Sequence, residues 1–101
     1  MTISSQLSGD GKRLIITVGE KFDFGSHQIF RQQYEEIAES SVSYIIDLHK
    51  TRYMDSSALG MMLLLRDHAG GETSDVKLVN ANEDIFKILK ISNFHQLFEI
   101  D

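Results

Sequence analysis

Short alternating apolar runs at the start of the chain give way after Ser26 to a helical spacing, and this change of period divides the chain into elements. Thr2 to Leu7 reads as a weakly marked first strand, Ser8-Gly9-Asp10-Gly11 as a turn and Leu14 to Val18 as a second strand, together an amino-terminal hairpin. From Ser26 onward Phe30, Tyr34, Ile37 and Ala38 fall at i, i+4, i+7 and i+8, with Arg31, Gln32, Glu35 and Glu36 opposite, which predicts an amphipathic helix. Val42 to Leu48 is apolar at nearly every position and predicts a central strand. The helix after Ser56 is apolar almost all round from Ala58 to Leu65, so it is buried on several sides or offers one side to a partner. Gly70-Gly71 stops it, and Asp75 to Val79 follows as another strand. Asn80, with Glu83 three residues on, is the expected cap of a third helix whose buried face is Ile85, Phe86, Ile88 and Leu89. Asn93 is expected to end that helix in a left-handed conformation, after which Phe94, Leu97, Phe98 and Ile100 pack back on the core.

This order, β-β-α-β-α-β-α(-β), predicts an α/β domain: a mixed sheet of four to five strands with three to four helices, mainly on one face. Partner and ligand sites in such sheets gather at the carboxyl ends of the strands. The loop before Ser56 falls there.

Composition narrows the function. The 101 residues make one domain, 1–101, and the 42% apolar and 25% charged content is that of an ordinary globular chain. The chain has no cysteine, which excludes disulfides and thiol chemistry and fits a reducing cytoplasm. Its longest apolar run, Ala58 to Leu65, is far short of the ~20 residues of a membrane span. Residues 1–20 carry no basic start followed by an apolar block, so no secretory signal is expected. A net charge of −5 argues against nucleic acid, whose binding rests on phosphate neutralisation. His27, His49, His68 and His95 are scattered without ligand spacing, so neither a metal nor another cofactor is expected. His68, near a helix end, is expected to meet that helix's terminal carbonyls.

The chemistry-bearing segment is Met54-Asp55-Ser56-Ser57-Ala58-Leu59-Gly60, between the central strand and the apolar helix. A helix start presents unpaired N–H groups and partial positive charge, which suit a serine that will carry a phosphate. Serine is also a preferred cap, and on spacing alone capping is the simpler role for Ser56. One cap does not need three consecutive polar residues, however, so one serine can cap while the other stays available. Gly60 costs about 1 kcal/mol inside a helix relative to alanine, which close packing or room for a partner would offset; close packing is the safer expectation. Met61 and Met62 are either core filler or an adaptable interface. Asp23, between Phe22 and Phe24, caps the first helix or joins the partner surface.

Asp55-Ser56-Ser57-Ala58-Leu59-Gly60, with its strand before and helix after, resembles the signature of the STAS family, the anti-sigma factor antagonists of bacterial partner switching. Ala58 replaces the family's commoner glycine, and Glu20 stands where a glycine is common, with Gly19 before it. A narrower likeness is to small proteobacterial members carrying Phe-Asp-Phe-Gly, here Phe22 to Gly25, and Leu-Leu-Arg-Asp-His-Ala-Gly-Gly, here Leu64 to Gly71. The resemblance implies the STAS fold, no catalysis by the chain itself and phosphorylation at Ser56 by a partner kinase. It further implies a partner surface of Asp23, Asp55, Ser56, Ser57, Ala58, Leu59, Met61 and Met62. Ser57 is then the expected cap or second contact. The implied partners are a serine kinase acting as anti-sigma factor, a PP2C-type phosphatase and, as a further target, another signalling protein; the implied process is cytoplasmic signal transduction controlling transcription. A STAS accessory subunit of a lipid-transport complex, with no phosphate cycle, is the alternative. A small hydrolase lacks a nucleophile–base pair and ranks last.

Overall fold

The computed structural model describes residues 3–37 and 42–101. Strands β1 (Ile3–Leu7) and β2 (Arg13–Val18) form the expected hairpin. Its turn is fixed by Ser8 N–H to the Arg13 carbonyl (2.8 Å), Gly11 N–H to the Ser8 carbonyl (2.9 Å) and a positive φ of 73° at Gly11. Strands β4 (Ser43–Asp47), β6 (Val76–Val79) and β7 (Glu99–Ile100) then add in parallel, giving a five-stranded sheet in the order β1-β2-β4-β6-β7. A two-residue parallel pair, β3 (Lys21–Phe22) with β5 (Tyr53–Met54), stands apart from it.

The sheet is covered on one face. Leu14, Ile16 and Val18 of β2, Tyr44 and Ile46 of β4, and Val76 and Leu78 of β6 are buried, with Ile16, Ile46 and Leu78 in one row across the ladder. Residues of the opposite parity (Ile15, Thr17, Ile45, Asp47, Lys77 and Val79) stay half-buried. Helices α1 (His27–Gln32), α2 (Ser56–His68) and α3 (Glu83–Ile91) feed Phe30, Ala58, Met61, Met62, Leu65, Ile85 and Leu89 into the same core. At about 25 cal/mol per Å2, fully burying each of the Val, Ile, Leu, Met and Phe side chains stabilises by roughly 1.5–3 kcal/mol.

Several elements differ from expectation for identifiable reasons. The first helical segment is a one-turn 3-10 helix, Phe24–Ser26, leading into an α1 that ends at Gln32; Ala38 lies outside the described residues. The Gln33 side chain donates to the Ile29 carbonyl (3.0 Å) while Gln33 N–H bonds Phe30 (3.1 Å), tightening the helix into turns. Phe30 and Tyr34 are still buried, as their spacing required. Asn80 does not cap α3: it adopts φ 61° and its side chain donates to Asp47 (3.1 Å). Asn82 is the cap, accepting from Ile85 N–H at 2.8 Å. Phe86 and Leu97, expected inside, are each 41% exposed. Asn93 does end α3 left-handed, at φ 61°. His68 bonds the Ile37 carbonyl (2.7 Å) beyond α1, rather than its own helix end, and lies edge-on to Tyr34.

Candidate partner-binding site

Two loops are brought side by side by the small β3–β5 pair. Arg52 N–H and Tyr53 N–H both bond the Glu20 carbonyl (2.8 and 3.1 Å), and Asp55 N–H bonds the Phe22 carbonyl (3.3 Å). Behind them the buried Thr51 hydroxyl donates to the Gly19 carbonyl (3.0 Å), and the Asn82 side chain donates to the Thr51 carbonyl (3.2 Å). The loop before α2 is thereby tied to the end of β2 and to the start of α3. Thr51 and Asn82 are positioning residues that the sequence reading missed.

Asp55 holds the junction. It is the N-cap of α2, with extended backbone, and one carboxylate oxygen accepts from Ala58 N–H at 3.1 Å. Its other oxygen accepts from Phe24 N–H at 3.3 Å, joining the two loops through one side chain. A cap of this type stabilises by about 0.5–2 kcal/mol relative to alanine. The capping role expected of Ser57 thus belongs to Asp55, two residues earlier, because α2 already begins at Ser56 and the Asp55 carboxylate reaches the first-turn Ala58 N–H. Ser56 occupies the first helical position and is exposed; Ser57 is half-buried. Neither serine hydroxyl forms a hydrogen bond among the described residues.

Asp23 caps its own turn: it accepts from Gly25 N–H (3.1 Å), and Ser26 Oγ accepts from Asp23 N–H (3.4 Å). Beside it Phe24 projects into solvent, 74% exposed, and Tyr53 is 52% exposed on the neighbouring strand.

Along α2 the proposed contact residues separate by face. Ala58, Met61 and Met62 are at most 2% exposed, so their side chains sit in the core and form no part of the surface. Helical spacing instead puts Leu63 and Leu64, seven and eight residues after Ser56, on its side of the helix. They are 37% and 50% exposed, and Gly60 lies between them and Ser56. Beyond its own helix backbone, a Cβ added at Gly60 meets no atom of the described residues within 4 Å, so the expected close packing is absent and the space is open. Leu59 is half-buried and packs against the core. The i+7 and i+8 spacing from Ser56 was the signal for Leu63 and Leu64.

The site is a surface, not a pocket. A cleft of about 520 Å3 between α1 and α2 is lined by Arg31, Tyr34, Glu35, Glu36, Leu64 and His68. His68 is about 18 Å along the helix from Ser56 at 1.5 Å per residue. Among the described residues no group of His, Asp and Glu side chains has the arrangement of a metal site.

A one-sided mixed sheet with an Asp-capped, serine-led helix at its carboxyl edge defines a STAS-type binding module. The family model described as "Mlab, STAS domain" matches residues 5–99, and the chain belongs to the STAS family. It is 52% identical over 100 residues to a STAS-domain containing protein of Pseudomonas aeruginosa (strain UCBPP-PA14), covering 99% of each chain. Among solved structures it is similar to the anti-sigma factor antagonist SpoIIAA in its unphosphorylated form: TM-score 0.81, 15% identity, 99% of this chain and 88% of that one. An anti-sigma factor antagonist from Mycobacterium paratuberculosis is similar at TM-score 0.78 and 13% identity, over 98% of this chain and 85% of that one. A murine solute carrier 26 anion transporter is similar at TM-score 0.70 and 16% identity, over 87% of this chain but 16% of its own. At these identities the structural likenesses establish the fold. Antagonists of this family are binding proteins, not enzymes.

Proposed function

We propose that this protein is a phosphorylation-controlled anti-sigma factor antagonist, with Ser56 as the phosphate acceptor. The observation carrying this reading is the division of labour at the start of α2. Asp55 takes the cap, which leaves the Ser56 hydroxyl exposed and unbonded. Unphosphorylated, the chain binds a serine kinase of the anti-sigma type through Ser56 and the exposed Phe24, Tyr53, Leu63 and Leu64. Phosphate adds about −1.5 to −2 charges at neutral pH. Against a close-packed partner surface, that charge must be desolvated beside Asp55, which weakens the complex. First-turn N–H groups and the helix dipole meanwhile stabilise the modified protein on its own. A PP2C-type phosphatase resets the switch, and the cycle is cytoplasmic.

Incubation with the cognate kinase and ATP tests the acceptor. Peptide mapping is expected to find one phosphate, on Ser56, and none on Ser56→Ala. Undiminished modification of Ser56→Ala excludes Ser56.

A second reading, a non-switching accessory subunit of a transport complex, is favoured by the anion-transporter neighbour, in which a domain of this fold forms part of a transporter. Protein isolated together with its kinase separates the two: the switch carries phosphate by intact mass, and the accessory subunit does not.

A further inference from the structure

Among the described residues β1 pairs along one edge only, with β2; on the helix-covered face the Ser5 hydroxyl donates to Gln33 Oε1 (2.7 Å). Ser8 N–H bonds the Arg13 carbonyl, and in an antiparallel ladder hydrogen-bonded pairs alternate, so Gln6 and Ser4 direct their backbone groups at Ile15 and Thr17. The N–H and C=O groups of Ile3, Ser5 and Leu7 point the other way, where no strand among the described residues pairs with them. Proteins usually protect such an edge with charge, proline, a bulge or brevity. Ile3-Ser4-Ser5-Gln6-Leu7 has five residues and none of the other three devices. The opposite edge, β7, has two residues and includes Glu99. Leu7 is 50% exposed although it shares the helix-covered face with Ile3, which is buried.

We propose that β1 pairs antiparallel with β1 of a second copy of this chain, about a two-fold axis at Ser5. In this register Ser5 faces its own counterpart, Ile3 faces Leu7 of the other copy and Ser4 faces Gln6. Every outward N–H and C=O of Ile3, Ser5 and Leu7 gains a partner, and the exposed Leu7 gains an apolar neighbour. Moving the axis away from Ser5 sets Ile3 or Leu7 against a polar residue or beyond the strand's end. The strand is uncharged in a chain of net charge −5, so two copies meet without like charges opposed along it. The axis lies two strands from β4, on the far side of β2, which leaves both copies of Ser56 open.

Sedimentation of the full chain over a concentration series is expected to show a monomer–dimer equilibrium. Leu7→Lys, at a position half exposed in the monomer, is expected to weaken dimerisation at least tenfold with an unchanged circular dichroism spectrum. Because the chain has no cysteine, Ser5→Cys supplies a single thiol. Across the axis its Cα–Cα separation is about 5.5 Å, within disulfide range, so mild oxidation is expected to cross-link it. Ser4→Cys, facing Gln6, is expected to cross-link far less. A single monomer mass at every concentration overturns the proposal. So does a dimer that Leu7→Lys leaves intact while Ser5→Cys and Ser4→Cys cross-link equally. A monomer whose β1 edge is taken by a strand of another protein overturns it too.

Discussion

Gly60 interrupts a thirteen-residue helix at a position where the chain itself gives a side chain nothing to strike. The sequence suggested close packing, but among the described residues a side chain at Gly60 would meet nothing beyond its own helix backbone within 4 Å. In the free protein Gly60→Ala is therefore expected to stabilise by up to about 1 kcal/mol, the helix-propensity difference, read from denaturant midpoints. A destabilised variant would show that the helix needs the glycine for internal packing. The same ambiguity of small residues explains what was legible at the site. Ser56 stood out as a candidate because Asp-Ser-Ser is an unusual run beside a buried strand. Which residue caps could not, since Asp and Ser are nearly equal caps and only backbone geometry separates them. Asn80 and Asn82 repeat the problem at α3: both are cap-forming residues, and the left-handed turn at Asn80 passes the role to Asn82.

Strands β2, β4 and β6 were legible as elements because each is a short apolar run bounded by polar or turn residues, and α3 because Ile85 and Leu89 repeat at helical spacing and Asn93 ends it, although its cap and Phe86 were misplaced. The two-residue strands β3 and β5 were not, since two residues carry no period, yet their pairing sets Asp23 beside Asp55. The reach of α1 was overestimated because apolar spacing persists through turns that still point Tyr34 inward. At the ends of β4 and β6, Asp47 accepts from Asn80 (3.1 Å) and from the His49 backbone and ring (both 3.0 Å). Burial pushes the Asp47 pKa up, but these hydrogen bonds together outweigh it and hold the carboxyl below its ordinary value. A lowered folded-state pKa stabilises above the unfolded value, about 3.9, and the contribution is lost as pH falls through the folded value. The difference in thermal midpoint between the parent and Asp47→Asn is thus expected to shrink from pH about 5 to about 2. A difference constant over that range would contradict the assignment.

Across the whole molecule, one sheet face carries nearly all the packing, and β4 is its middle strand. Ile46 is fully buried there between Ile16 and Leu78. Ile46→Asp is expected to unfold the domain or lower its stability severely, because a buried carboxylate without a partner costs several kcal/mol. Glu36→Ala, on an exposed turn, is expected to change stability by no more than about 0.5 kcal/mol. Equal denaturation midpoints would contradict the one-sided core. On that scaffold the proposed partner surface runs from Phe24 and Tyr53 past Ser56 to Leu63 and Leu64, and a phosphate on Ser56 would stand at the head of an apolar face. Calorimetric titration of the kinase-type anti-sigma partner with unmodified and Ser56-phosphorylated protein tests this most directly. The account predicts at least tenfold weaker binding after phosphorylation, about 1.4 kcal/mol, with an unchanged circular dichroism spectrum. Equal affinity of the two forms would contradict it.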